Sequence, residues 1–323
     1  MRGIFMKVMG MRLCNKGVTL IELLVALGVF SVVMAMVYSV YNTLLKHTMV
    51  ERKVAKTELD VVNVIWPLTK EIQTAGFGVS SSVVPITWDD TTDELIINST
   101  AAGDSKHAGK WSYIGASCAV TGLPDTAPDN TVAVINILDK SLLAQSPTVS
   151  VVTVSGSSFI TPCDSSYEDN IAYWIPDTTT PYYQARYSLE PYVAPGDPKP
   201  TICAINTKLS RSSRASTSAT LYRPLIDCVL HFEVKFGCID SSGGLTWRND
   251  RFCGTATLSL IKIGIIVQNS PRRDMMVSPT ITLFEDLLDA SGSSLKRDVP
   301  LSEEERHYKW REIEQTITLR NQE

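Results

Sequence analysis

Glu22 is the residue in the first fifty positions whose placement most demands a chemical partner. Leu23–Leu45 follows it without one charged residue. A carboxylate at that depth of a bilayer costs about 2–4 kcal/mol, so its presence implies a cation that meets it. Just upstream stand Arg2, Lys7, Arg12 and Lys16, then Gly17 and Val18. A second reactive set lies far along the chain: Cys118, Cys163, Cys203, Cys228, Cys238 and Cys253. An even number of thiols in an exported body reads as disulfides in an oxidising compartment. Cys238 and Cys253 flank the turn-rich "IDSSGGLTWRNDRF" and are placed to clamp it. Cys228 and Cys238 end one extended run of about 33 Å, too long for a mutual bond if the strand is unbroken. Spacing does not choose the remaining partners.

Other chemistry is missing. No G-x-x-x-x-G-K-[ST] loop, G-x-S-x-G elbow or H-E-x-x-H helix occurs. There is no C-x2-C pair, and His47, His107, His231 and His307 are scattered, so no zinc site is expected. The acidic stretches "WDDTTDE" (Trp88–Glu94) and "IDSSGG" (Ile239–Gly244) lack the ligand spacing of a calcium loop and read as solvated turns. Lys208, Arg211 and Arg214 read as a solvated basic loop. No catalytic residue, metal or cofactor is assigned, and the expectation is a protein that is not an enzyme.

The elements that must position Glu22 come next. Leu23–Leu45, at about 1.5 Å per residue, exceeds the roughly 30 Å of hydrocarbon. The later run "LSLIKIGIIV" is too short and contains Lys262. The chain carries −4 overall, and the first 17 residues hold four bases and no acid, so the rest carries −8. A basic flank keeps the N-terminus in the cytoplasm and puts the body outside it. An acidic body argues against nucleic acid as the main partner. A secretory signal needs a small-residue cleavage site, which "MVYSVYNTLLKH" does not offer. A lipoprotein signal needs its cysteine after the apolar run, whereas Cys14 precedes it. A plain signal anchor fits the length but explains neither Glu22 nor the Lys16–Gly17 boundary.

"KGVTLIELLVALGVF" resembles the type IV prepilin signature, which explains both. The resemblance implies that a prepilin peptidase cuts between Gly17 and Val18 and that the new amine of Val18 is methylated. Glu22 is then the fifth residue of the mature chain, where the family has its glutamate. Val18 departs from the phenylalanine usual there. In a fibre each new amine needs an anion, and Glu22 of a neighbour supplies it as a register charge.

Past Lys46 the chain turns charged without a turn signal until Gly76. Val61, Ile65, Leu68, Ile72 and Ala75 recur at steps of 4, 3, 4 and 3, one face of a helix. A kink or break is expected near Asn63–Pro67, with Gly76 and Gly78 as C-cap residues. Beyond Phe77, "DELIINS", "TVAVINILD" and "TVSVVTVS" read as strands of an antiparallel or mixed sheet, and Tyr187–Ser218 as loop-rich. "DCVLHFEVKFGC" alternates cleanly, with Cys228, Leu230, Phe232, Val234, Phe236 and Cys238 on one face, and reads as half-buried.

The order "LHFEVKFGCIDSSGGLTW", "LSLIKIGIIVQNS" and "HYKWREIEQTITLRNQE", ending Leu319-Arg320-Asn321, resembles the end of PilW-like minor pilins, as does "EIQTAGFG" (Glu71–Gly78). The likeness covers about residues 12–78 and 221–322. It implies an α+β pilin-like fold, a long N-terminal helix, half membrane-spanning and half amphipathic, packed on a β-rich globular body. The expected division is a leader at 1–17, a helix at 18–76 that spans at about 18–45, and a body at 77–323. It implies a structural minor pilin of the inner membrane, single-pass with a periplasmic body, later on the pilus or cell surface. Its partners would be other minor and major pilins, the prepilin peptidase, the inner-membrane assembly platform and a tip adhesin. Alternatives are a minor pseudopilin of a type II secretion system or a membrane-anchored binding protein or adhesin.

Overall fold

The computed structural model describes residues 19–102, 109–121, 131–154, 157–175, 182–193, 199–214 and 222–320. The chain divides into two compact units, Met1–Arg52 and Lys53–Glu323. One helix, α1 (Leu20–Gln73), supplies all the described regular structure of the first unit and opens the second.

Within the second unit, α1 buries Val61, Val64, Leu68 and Ile72, and Ala75 just beyond its end is buried with them. Val64 therefore takes the core position expected for Ile65, which is half-buried. Both lie within one turn of the seam, and the packing surface selects the more central one. Pro67 sits inside an unbroken helix, against the expected break. The ring removes one helical bond to the Asn63 carbonyl. Val64 and Leu68 on either side of it are buried, and each fully buried aliphatic side chain contributes about 1.5–3 kcal/mol. That packing offsets the lost bond, and the helix continues through Pro67. The helix ends at Gln73, earlier than expected, so Gly76 and Gly78 are not its caps. Both have positive φ, 78° and 63°, in the turns that follow. The Gly76 N–H donates to the Asn98 carbonyl. A Cβ at Gly78 would lie 2.4 Å from Thr100 Oγ1.

The strands are antiparallel throughout the described residues. β1 (Ile86–Asp89) and β2 (Glu94–Ser99) form a hairpin. The chain then leaves for six strands: β3 (Trp111–Tyr113), β4 (Ala119–Val120), β5 (Thr131–Ile135), β6 (Leu142–Val154), β7 (Ser157–Thr161) and β8 (Ile171–Trp174). Their order is β3-β8-β5-β6-β7-β4, and an isolated bridge from Ile114, the residue after β3, to Val120 of β4 links the two edges, so this sheet closes on itself. Its interior holds Val132, Val134, Val149, Val151, Ile160 and Trp174. The chain returns in β9 (Tyr183–Pro191), which pairs directly with β2, Ser99 opposite Tyr183. β10 (Thr207–Arg214) and β11 (Arg223–Asp227) complete the order β1-β2-β9-β10-β11.

A four-stranded sheet follows: β12 (Val229–Ile239), β13 (Leu245–Arg248), β14 (Thr257–Gln268) and, after a hairpin of β15 (Thr280–Leu283) and β16 (Arg297–Pro300), β17 (Trp310–Thr318). Its inner face, with Phe232, Val234, Phe236, Ile263 and Ile265, shares one core with Leu95, Ile97, Tyr187 and Leu209 of the β1-β11 sheet and with the buried face of α1.

β12 departs from the half-buried expectation. Glu233 and Lys235 are buried as well. The β15–β16 region covers that face, with Phe284, Leu283 and Leu301 in its own cluster. Lys235 Nζ donates to Glu233 Oε1 and Asn249 Oδ1, each at 2.5 Å. Lys262, on β14, bridges Asp286 and Glu314 at 2.6 and 2.8 Å. Burial pushes the Glu233 carboxyl up, but bonds from His231 and Lys235 outweigh it and hold it below the usual carboxylate range. A register shift between Val229 and His231 also breaks the alternation. Val229 joins the main core, and Leu230 packs with the β15–β16 cluster instead.

The expected loop at Tyr187–Ser218 contains most of β9 and all of β10. Lys208 and Arg211 are accordingly strand residues, not a solvated loop. Lys208 is buried, its ammonium 5.0 Å from the centre of the Tyr192 ring. Arg211 forms an ion pair with Glu71 of α1, whose Oε2 also accepts a bond from the Tyr187 hydroxyl at 2.6 Å. The strand assignment reaches Arg214. In each acidic turn one carboxylate serves its own loop, while Glu94 at the end of the first pairs with Arg186 of β9. Asp89 accepts from Thr91 N, and Asp240 from Ser242 N and Gly244 N.

Cys118 is bonded to Cys163, Cys203 to Cys228 and Cys238 to Cys253, with Cα separations of 5.6, 5.2 and 5.6 Å. Cys228 precedes β12 and Cys238 lies near its other end, each with a different partner. Cys14 lies outside the described residues. Titration of the denatured protein without reductant is expected to find one thiol per chain in the full-length precursor, from Cys14, and none in a chain that begins at Val18. Loss of any one bond is expected to lower stability by about 2–5 kcal/mol, read as a shift in the denaturant midpoint.

Candidate functional site

The site begins at the first turn of α1. Thr19 precedes the helix, and Glu22 is its third residue. Glu22 Oε2 accepts from the Thr19 backbone N–H and from its hydroxyl, both at 2.9 Å. Thr19 Oγ1 accepts in turn from the Glu22 N–H at 3.3 Å. This reciprocal pair is a capping box, which satisfies donors that every helix start leaves open. Oε1 accepts no bond from the described residues. Gly17 and Val18 lie outside them.

Downstream, the surface of α1 is apolar and uncovered within its own unit. Leu23, Leu24, Leu27, Phe30, Val33, Val37, Val40 and Leu44 are all exposed. The hydroxyls in this run do not break its apolar character. Ser31 donates to the Leu27 carbonyl at 2.8 Å and Thr43 to the Ser39 carbonyl at 3.0 Å. Those two hydroxyls are thereby satisfied inside the helix, which burial in hydrocarbon requires. By length and composition, this is the one described helix able to cross a membrane.

The structure therefore gives Glu22 a partner that the sequence reading overlooked, Thr19. The signal was legible: T-x-x-E ahead of an apolar run is the capping-box pattern. The six disulfide-bonded cysteines all lie in the second unit.

Residues 12–38 match the family model described as the prokaryotic N-terminal methylation motif. The chain carries that motif. The matched span includes Arg12, Lys16, Gly17, Val18, Thr19 and Glu22 and runs through the apolar helix to Tyr38. The capping box thus lies within the matched span, and it sets the start of α1. A type IV-like pilin from Thermus thermophilus aligns with 82% of this chain and 97% of its own, at 10% identity and a TM-score of 0.35. None of the curated proteins matches the sequence.

Proposed function

We propose that this chain is a type IV minor pilin of the PilW kind, which primes or caps pilus assembly together with other minor pilins. The observation that carries the reading is the methylation motif, with Glu22 the fifth residue counted from Val18, at the start of an uncovered apolar helix. Prepilin peptidase cuts after Gly17 and methylates Val18. The apolar half of α1 anchors the protein in the inner membrane, its N-terminus cytoplasmic and its body periplasmic, until the assembly platform draws it into the fibre. The body meets the major pilin and a tip adhesin.

In this reading Glu22 has two duties. Oε2 closes its own helix start, which lowers the cost of carrying a carboxylate in an apolar segment. Oε1 is open to the methylated amine of a neighbour. A buried charge that loses its partner costs about 3–5 kcal/mol, so the pair favours subunits at one axial offset.

Mass spectrometry of the native protein tests the reading. The expected N-terminus is methylated Val18, and a bulky residue at position 17 is expected to leave the uncut precursor. An N-terminus upstream of Gly17 in fibre-forming cells supports the anchored adhesin instead. A processed chain that purifies with a secretion apparatus and never with pili supports the pseudopilin alternative.

A further inference from the structure

Lys235 Nζ lies 2.5 Å from Asn249 Oδ1 and 2.5 Å from Glu233 Oε1. A primary amine, a carboxamide and a carboxylate thus meet at one nitrogen. The sheet register brings them together. Glu233 and Lys235 are two apart on β12 and share a face. Phe236 pairs with Arg248 of β13, and one further step along that register puts Asn249 opposite Lys235. Water is kept from the amine, since Lys235 and Glu233 are 5% and 6% exposed. The fully buried Phe284 ring adds to the seal, its centre 5.6 Å from Nζ. Gly264 of β14 stands opposite Glu233, and a Cβ there would lie 2.6 Å from Phe284 Cζ, so the ring needs that glycine to close down. Asn249 is the exposed member of the group. It borders a cleft of about 340 Å³ that Trp247, Asp250, Asp289 and Ser291 also line.

An amine nitrogen so near an amide oxygen is also within reach of the amide carbon, in the range of about 3–3.5 Å from which bonds form. Lys262, opposite Lys235 on β14, has no such partner. It is bridged by the carboxylates of Asp286 and Glu314, and a carboxylate anion resists attack by an amine. The Asn249 amide is neutral and carries a leaving group. His231 Nε2 at 3.0 Å and Arg297 Nε at 3.7 Å engage Glu233 Oε2, which leaves Oε1 to face the amine.

We propose that Lys235 and Asn249 condense into an amide cross-link, with Glu233 as the proton carrier. Glu233 Oε1 takes a proton from the Lys235 ammonium across their hydrogen bond. The freed lone pair on Nζ attacks Asn249 Cγ, and the carbonyl π pair moves onto Oδ1. Glu233 then gives its proton to Nδ2 and removes a second one from Nζ. The Cγ–Nδ2 bond breaks as the pair on Oδ1 closes back to a carbonyl. Ammonia leaves through the cleft and takes the last proton from Glu233 as ammonium. One ammonium and one primary amide have become one secondary amide and free ammonium, and nothing is oxidised or reduced. The link overlaps the Cys238–Cys253 disulfide along the chain, so the β12–β13 hairpin is tied twice, once by a bond that reductant opens and once by a bond that it does not.

The inference does not depend on the pilin reading, and peptide mapping tests it. The full-length wild-type chain is purified from membranes, reduced, alkylated, digested and read by tandem mass spectrometry. The expected product is one branched peptide that joins Lys235 to Asn249 and is lighter by one ammonia than the two unlinked peptides together. Lys235→Arg keeps the cation and is expected to lose the link completely. Glu233→Gln keeps the shape, cannot carry the proton, and is expected to leave the two peptides mostly unlinked. In both variants the three disulfides report that the body has folded. Asn249 precedes Asp250, and closure of its side chain onto its own backbone would also release ammonia. That loss gives no branched peptide and survives Lys235→Arg. Unlinked peptides of full mass in the wild-type chain overturn the proposal, as does an ammonia loss that persists in Lys235→Arg. A link formed as fully in Glu233→Gln as in the wild type overturns the role given to Glu233.

Discussion

Glu22→Gln is expected to leave the protein inserted, cut after Gly17 and folded, yet absent from fibres. Glutamine keeps an oxygen that can accept from Thr19, so the capping box and the start of α1 survive. Removing the charge also eases burial in hydrocarbon. What is lost is the anion for a neighbour's amine, and an unpaired buried charge at about 3–5 kcal/mol lowers incorporation by two orders of magnitude or more. Glu22→Ala is expected to lose incorporation too, with a weaker helix start added. Complementation of a deletion strain, scored by blot for the mature protein and by shear preparation for pili, checks both. Normal pilus numbers with normal processing would remove Glu22 from the role of register charge.

The largest expected effect on the body comes from Arg211→Met. Arg211 reaches from β10 to Glu71 on α1, and both side chains are largely shielded from water, at 12% and 14% exposure. Without the guanidinium, the Glu71 carboxylate keeps the Tyr187 hydroxyl but faces no cation in that pair. Breaking one partner of such a pair costs about 3–5 kcal/mol. The denaturant midpoint of the body is expected to fall accordingly. Pairing Arg211→Met with Glu71→Leu is expected to restore much of the loss, because the charge then disappears with its partner. A double variant no more stable than the single one would show that the pair is not what holds helix to sheet.

Several parts of this structure were legible in the sequence for a clear physical reason. A long uncharged run leaves little choice but a helix, and the basic flank, Gly17 and Glu22 are local to it. The strands at Glu94–Ser99, Thr131–Ile135 and Val229–Ile239 announced themselves by β-branched or alternating residues. Their partners did not. β3 pairs with β8 some sixty residues later, and no local pattern encodes such a pairing. The polar face of β12 was misread because Glu233 and Lys235 look the same in sequence whether water or a buried network satisfies them. Only the later β15–β16 hairpin, with Phe284, decides. The basic residues of β10 misled likewise, since Lys208 and Arg211 lie among serines yet serve a sheet interior. The missed role of Thr19 was of another kind, a readable motif overshadowed by its more conspicuous partner Glu22.

The six-stranded closed sheet leaves from the end of β2 and returns at the start of β9, and these strands are direct neighbours. Ser99 and Tyr183 face each other where residues 100–182 depart and come back. The detour thus hangs from what would otherwise be a simple hairpin. In evolutionary terms it is exchangeable cargo. It can be excised, lengthened or replaced by another self-closing module without altering the register between β2 and β9. Among the described residues the attachments to be repaired include the Ser81 N–H bond to the Lys140 carbonyl, the Thr100 backbone and hydroxyl bonds to the Phe77 carbonyl and the edge-to-face stack of Phe77 on Tyr173. Selection can therefore retune what this part of the body presents while the helix and its cradle keep their geometry.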